Sequence, residues 1–350
     1  MEDNKNSSEH QNLSTYMCLG IGIGTAIGVA LNNMALWMSI GLSIGVCIGS
    51  VLDHNNQKQT EQKNDNEKWN KKHWLCFMAI SSVVISACIL LGNTNLEITE
   101  YYVTSAKIPD SFDGFEIAQI SDLHNAEVGD ANKDLLILLS QIEPDMIALT
   151  GDLIDSRQTD IEIALDFAGK AVQIAPVYYV SGNHEARVPE YAELKMGLTD
   201  LGVTVLENQK VQITRDGESI TLMGIQDPSF HTDYLFGDAE SVSRQAISSL
   251  QNESDGFTVL LSHRPELFDL YVDSRIDLVF SGHAHGGQFR LPVVGGLVAP
   301  NQGFFPKYDA GQFIEENTTM IVSRGVGNSI IPFRINNPPE LVVVELKNQN

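Results

Sequence analysis

Apolar residues fall into two kinds of run along the chain. Before residue 92 they form long blocks, one over 13–52 divided at Asn32-Asn33 and one of eighteen uncharged residues from Trp74 to Leu91; a polar start over 1–12 and a polar tract over 53–73 flank the first. After residue 92 they come as short runs bounded by turn signals: Phe115–Ile120, Met146–Leu149, Val177–Val180, Val203–Leu206, Ile220–Ile225, Thr258–Leu261, Leu278–Phe280, Met320–Val322 and Leu341–Val344. Runs of that length read as buried strands. Between them, 132–142, 161–174, 189–201 and 239–250 carry helical spacing, and Asp216-Gly217 marks a hairpin. Alternating strands and helices predict one α/β domain over 97–350 with an antiparallel addition.

The long blocks call for a different environment. Trp74–Leu91 as a helix is about 27 Å long, close to the hydrocarbon thickness of a bilayer, which predicts a transmembrane helix. The 13–52 block predicts a tight transmembrane hairpin, because Gly20, Gly24 and Gly28, and again Gly41, Gly45 and Gly49, recur every fourth residue and give each half a flat face. The first reading of that stripe is packing within the hairpin; the second is a face for homo-oligomers. Lys58, Lys63, Lys68, Lys71 and Lys72 place the tract over 53–73 on the cytoplasmic side, so the expected protein is multi-pass in the cell membrane with its large domain extracytoplasmic. Cys18, Cys47, Cys76 and Cys88 all lie in the apolar blocks, which leaves the domain over 97–350 without thiol chemistry or disulfides.

Charge narrows the partners. Sixteen of the 22 Lys and Arg but thirty-eight of the 45 Asp and Glu follow residue 92, so nearly all the excess negative charge is on the α/β domain. Such a surface repels phosphate polymers, and no nucleic-acid partner is expected.

Five segments end their strand-like runs on metal-ligand residue types: Asp122-Leu123-His124, Gly151-Asp152-Leu153-Ile154-Asp155, Gly182-Asn183-His184-Glu185, His263, and Gly282-His283-Ala284-His285. Side chains just past the carboxyl ends of strands share one crevice in an α/β sheet. Asp122 with His124, and His283 with His285, alternate around one apolar residue, so both members of each pair can face that crevice. Glycines at 151, 182 and 282 are expected to permit the sharp turns. Carboxylate, imidazole and amide together suit divalent first-row cations, and manganese, iron, zinc and nickel all accept such mixed donors.

Together these segments resemble the calcineurin-like metallophosphoesterases over Phe115–Gln288, most specifically at Gly282-His283-Ala284-His285-Gly286-Gly287-Gln288. Leu291-Pro292 and Pro306-Lys307-Tyr308 further resemble the bacterial membrane-anchored branch of that family. The resemblance implies a two-sheet β-sandwich flanked by helices. It also implies two divalent metal ions: Asp122, His124, Asp152 and His285 hold one, and Asp152 bridges to a second held by Asn183, His263 and His283. His184 matches the family's histidine that assists the leaving group, and Asp155 its orienting carboxylate. Two such ions can activate a bridging water and clamp phosphate oxygens for in-line displacement. The purple acid phosphatases have a tyrosine where this chain has Asp155, and the protein serine/threonine phosphatases an arginine where it has Ser156, so neither branch is favoured.

The implied activity is hydrolysis of a phosphoester or pyrophosphate bond in a lipid-linked or cell-envelope substrate, with membrane lipids as neighbours. The alternatives are a broad phosphomonoesterase or phosphodiesterase acting on envelope polymers, and a non-catalytic membrane scaffold. Arg264, Arg290 and Arg324 are candidates for substrate phosphate, against the commoner use of arginine in ion pairs. His231 lacks a partner motif, and Glu185 is read as a support for its neighbours.

Overall fold

The structure, a computed structural model, describes residues 14–22, 41–42, 44–49, 96–231, 238–251, 256–291, 294–328 and 333–349. The chain divides into two compact units, Met1–Ile85 and Ser86–Asn350. The expected polar segments over 1–12 and 53–73, the transmembrane helix over 74–91 and much of the hairpin over 13–52 lie outside the described residues. Among the described residues no helix is long and apolar enough to cross a membrane. In the first unit, residues 14–22 and 44–49 are helical. A Cβ on Gly20 would stand 2.0 Å from the Gly41 carbonyl oxygen, and one on Gly45 2.1 Å from that of Tyr16. Backbone therefore meets backbone at these glycines, and no side chain fits there.

The second unit begins with β1 (Glu97–Ser105), β2 (Glu116–Ile120), β3 (Met146–Thr150), β4 (Val177–Val180) and β5 (Thr204–Val205); α1 (Lys133–Ile142), α2 (Ile161–Ala171) and α3 (Tyr191–Asp200) follow β2, β3 and β4. Next come β6 (Gln209–Arg215), β7 (Glu218–Gly224), α4 (Ala239–Leu250), β8 (Thr258–Leu261), α5 (Phe268–Asp273) and β9 (Leu278–Ser281). Two small hairpins pair β10 (Arg290–Leu291) with β11 (Gly295–Gly296) and β12 (Val298–Ala299) with β13 (Gly303–Phe304). The chain then forms β14 (Gly311–Glu315), β15 (Thr318–Val322) and β16 (Glu340–Asn348).

Two six-stranded sheets result, ordered β1-β16-β2-β3-β4-β5 and β14-β15-β9-β8-β7-β6. Within them β2 to β5 run parallel, as do β7, β8, β9 and β15, while the hairpin partners β6 and β14 run antiparallel at the edges of the second sheet. Both faces of the central strands are covered, which is why they read as unbroken apolar runs. Alternate residues go to opposite layers. Met146 and Ala148 face the core between the sheets while Ile147 and Leu149 face helices α1 to α3; across the sandwich, Leu278 and Phe280 face the same central core while Val279 turns toward α4 and α5. The architecture is thus the expected two-sheet sandwich with helices on both outer faces. Aspartates start two of those helices, Asp160 accepting from the Glu162 amide and Asp238 from the Ser241 amide.

The short or edge strands were not marked by long apolar runs. β1 keeps one face exposed, β10 to β13 have two residues each, and all lie outside the predicted set.

Candidate metal centre

The turns after β2, β3, β4, β8 and β9 converge, as parallel strands of a sandwich require of their carboxyl ends. They do so with unusual backbone. Asp122, His124, Asp152, His283 and His285 all have φ between 47° and 67°, the left-handed region that side-chain-bearing residues rarely adopt. A cluster of such outliers marks a functional site, because surrounding structure must over-determine each one. Glycine does part of that work, though not as expected throughout. Gly151 does take a positive φ of 90°, but Gly182 and Gly282 are not in the left-handed region. They are needed for room instead: a Cβ on Gly182 would lie 2.3 Å from Asp152 Oδ1, and one on Gly282 1.9 Å from Ser121 Oγ.

The predicted donors are buried and close together. His285 Nε2 lies 3.3 Å and His124 Nε2 3.8 Å from Asp122 Oδ1, and the two imidazole nitrogens approach each other to 3.1 Å. Asp152 Oδ2 stands 3.7 Å from His124 Nε2 and 3.2 Å from His263 Nε2, so this carboxylate sits between the two groups of side chains. Donor atoms of three sets, Asp122 with His124 and His285, His124 with Asp152 and His184, and Asp152 with His263 and His283, lie mutually within 4.8 Å and could each hold a metal ion. Asn183 lies between Gly182 and His184, whose amide donates to Asp152 Oδ1 at 2.8 Å.

The surrounding hydrogen bonds orient this set. His263 Nδ1 donates to the Thr150 carbonyl at 2.7 Å, which turns Nε2 toward Asp152. Asp122 accepts from the His283 amide at 3.1 Å through both oxygens. The donors themselves remain partly unsatisfied: Asn183 Oδ1, His263 Nε2, His124 Nδ1 and His285 Nδ1 are buried without a hydrogen-bond partner. Buried, unpartnered Asn183 Oδ1 and His263 Nε2, together with the imidazole Nε2 atoms that face two carboxylates, fit divalent cations by chemistry.

Electrostatics points the same way. Burial pushes the His283 and His285 imidazoles well below their ordinary range and His124 down to about 3, so all three are neutral; the His283 acceptor nitrogen, Nε2, takes a hydrogen bond from Arg264 Nη1 at 3.0 Å. Burial also raises Asp122 to about 6. Burial opposes ionisation of Asp152 too, but His263 and the neighbouring imidazoles overcome it and hold the carboxyl well below its usual range. His263 is the reciprocal case: against its burial, Asp152 and Asp122 hold it up to about 10. A cation entering there displaces a proton.

The orienting role expected of Asp155, a hydrogen bond to His184, needs correction. Asp155 does not hydrogen-bond His184; its oxygen is 3.7 Å from His184 Nδ1. Arg157 takes the carboxylate instead, with its amide and Nε at 2.8 and 3.0 Å, and His184 Nδ1 accepts from the Ser156 amide at 3.0 Å. A guanidinium two residues away outcompetes a neutral imidazole for a carboxylate. The arginine candidates for phosphate are likewise engaged in ion pairs: Arg264 with Asp227 at 2.6 Å, Arg290 with Asp309 at 2.9 Å, and Arg324 with Glu340 at 2.9 Å. His231 is exposed and bonds Gln226.

Glu185 does far more than its sequence position suggested. Its Oε2 accepts from the amides of Gly182 (2.7 Å) and Asp152 (3.0 Å), and its Oε1 from those of Leu153 (2.8 Å) and Ile154 (3.3 Å). One buried carboxylate thereby ties the turn that carries Asp152 to the turn that carries Asn183. Burial, then the charge of Asp152, raises its pKa to about 8 against those amide donors.

Residues 115–287 match the model of the calcineurin-like phosphoesterase family, and residues 6–55 that of a glycine zipper membrane protein. The chain is 30% identical over 260 residues to the uncharacterized metallophosphoesterase YkuE of Bacillus subtilis, covering 73% of this chain and 87% of that protein. It is 28% identical over 237 residues to the phosphodiesterase YaeI of Escherichia coli, covering 66% and 82%. It is 29% identical over 286 residues to a transmembrane protein with metallophosphoesterase domain of Bos taurus, covering 77% of this chain and 62% of that longer protein.

Proposed function

The chain belongs to the calcineurin-like phosphoesterases, a family of hydrolases acting on phosphoester bonds, and from that membership we propose that it is a membrane-anchored enzyme cleaving phosphoester or pyrophosphate bonds of lipid-linked or envelope substrates. The carrying observation is the gathering of Asp122, His124, His184, His263, His283 and His285 around Asp152, with Asn183 Oδ1 and His263 Nε2 buried and unpaired. In this reading Asp122, His124 and His285 would hold one divalent cation, Asn183, His263 and His283 would hold the other, and Asp152 would serve both. Two such ions supply positive charge that draws in phosphate and activates the attacking water.

The chain's own residues do the rest. His184 has Nδ1 committed to the Ser156 amide, so its proton is on Nε2, where it can be donated to the departing oxygen. Glu185 and Gly182 fix the turn that positions Asn183 and His184. Arg157 holds Asp155, which keeps the rim beside His184 in one arrangement.

Anchoring is supported by the glycine zipper match over 6–55, by the bovine relative's description as a transmembrane protein, and by the backbone contacts at Gly20 and Gly45. The proposed arrangement is a membrane hairpin over 13–52, a cytoplasmic linker over 53–73, a transmembrane helix over 74–91 and an extracytoplasmic domain over 97–350, with the glycine stripe also available to a second copy. A tethered domain meets amphiphilic phosphoesters at high effective concentration.

Turnover of an aryl phosphodiester by the purified full chain is the test. Activity should vanish with chelator, return with manganese, zinc, iron or nickel, and be absent from His283→Ala. Metal-independent turnover, or full turnover by that variant, would overturn the reading. No turnover by a folded, metal-loaded chain on phosphomonoesters, phosphodiesters or pyrophosphates would favour the scaffold.

A further inference from the structure

The turn that carries His285 runs straight into the two small hairpins, where exposed apolar side chains cluster, while elsewhere in the domain they are scattered, as at Met196 and Ile314. Phe304 is 76% exposed, Phe305 62%, Val294 57% and Leu291 45%. Hydrophobic residues scattered singly need no explanation, but four large ones within fifteen residues of chain do. Phe305 is also held at a φ of 55°, where a bulky side chain is strained. The hairpins are nonetheless fastened to the metal centre. Leu297 donates its amide to the carbonyls of Gly287 (3.1 Å) and Phe289 (2.8 Å), Phe305 donates to Leu297 (2.9 Å), and Arg290 Nη1 donates to Gly286 (3.0 Å). A Cβ on Gly287 would stand 2.4 Å from Gly296, so the first hairpin lies directly on the His285 turn.

Charge singles out the same stretch. No carboxylate occurs between Asp277 and Asp309, in a domain where acids outnumber bases more than two to one. Within it Lys307 is exposed, its ammonium over the Tyr308 ring at 4.6 Å. In space two carboxylates border the lip, Asp269 at 3.8 Å from the Lys307 ammonium and Glu266 accepting from Asn301 Nδ2 at 2.8 Å, so Lys307 is the cation that an anionic surface would draw away from Asp269.

We propose that β10 to β13 with their described neighbours form a membrane-docking lip: Leu291, Val294, Phe304 and Phe305 enter the interfacial region of an anionic bilayer, Lys307 exchanges Asp269 for lipid phosphate, and the metal centre is thereby presented to phosphoesters borne by that bilayer. Aromatic and aliphatic side chains beside a lysine are the composition that partitions into the headgroup boundary. The membrane match elsewhere in the chain puts a bilayer within reach and selects this occupant over a second copy. The second half of the proposal, a bilayer-borne substrate, rests on the lipid-linked reading above; the docking half does not.

Full-length Phe304→Trp is reconstituted into vesicles of phosphatidylglycerol and phosphatidylethanolamine carrying brominated acyl chains, with the unsubstituted chain as reference for its three native tryptophans. The added tryptophan should emit at shorter wavelength than an exposed indole and be quenched by the bromolipid. Emission like that of a water-exposed indole, or shielding that the bromolipid does not quench and that follows protein concentration, would overturn the lip. Substituting Phe304→Ser with Phe305→Ser should lower turnover of a bilayer-borne phosphodiester, relative to a soluble aryl phosphodiester, by about tenfold or more. An unchanged ratio would overturn the substrate half. Lack of turnover on either substrate by the unsubstituted chain is failure of the hydrolase reading, which the tryptophan signal does not share.

Discussion

The turn over 282–288 and the hairpins over 290–305 are neighbours in the chain and opposites in physics. The first buries His283, His285 and Gln288, while the second exposes Leu291, Val294, Phe304 and Phe305. Each contradicts the usual preference of its residues, and each does so next to the other. Polar side chains are stable in the interior only where other groups complete their bonding, and large apolar ones clustered on a surface mark a place that another surface can cover. The comparison teaches that hydropathy sets the sandwich but not its catalytic end, where the binding partners decide.

Substitutions sharpen the contrast, beginning with the buried side. Asp152→Asn keeps the size of the side chain but removes the charge between the two donor groups. Turnover of an aryl phosphodiester should fall by roughly three orders of magnitude with the circular-dichroism spectrum unchanged. Activity near that of the parent would mean the buried polar groups are structural. Glu185→Gln replaces one acceptor oxygen with a donor amide against the backbone amides of Gly182, Asp152, Leu153 and Ile154. Metal affinity, followed by titration calorimetry, should weaken by about 10–100-fold, the usual effect of losing a group that supports ligands. On the exposed side the expected change is small: Phe304→Ser should leave the thermal unfolding free energy of the domain within about 0.5 kcal/mol, as for surface positions with no packing role. A larger loss would show that Phe304 belongs to the core and would erase the comparison.

Much of this was legible along the chain, and the gaps have physical reasons. The central strands were readable because helices and a second sheet cover both their faces, as for Met146–Thr150 with every residue buried. β1 was not, since its alternating half-exposed residues lack a long apolar run. The site donors could be read from residue type at five strand ends, because that end of a parallel sheet is shared by construction. Direction could not be read. Adjacency of Asp155, Ser156 and Arg157 gives no indication that arginine takes the carboxylate and serine's amide takes His184. Nor does a glycine reveal whether it supplies a positive φ, as Gly151 does, or empty space, as Gly282 does. Glu185 looked like any polar residue after a histidine; its depth and four amide partners exist only once two distant turns meet.

The left-handed backbone at Asp122, His124, Asp152, His283 and His285 has a consequence for how this sequence can change. At each of these positions glycine would relax the chain more easily than the residue present, so folding alone pulls the sequence away from what it holds. Aspartate and histidine bear such backbone better than most residues, yet still at a cost that their buried side chains here must offset. A copy that had abandoned chemistry for mere attachment would be free to gain stability by exchanging these five residues for glycine first.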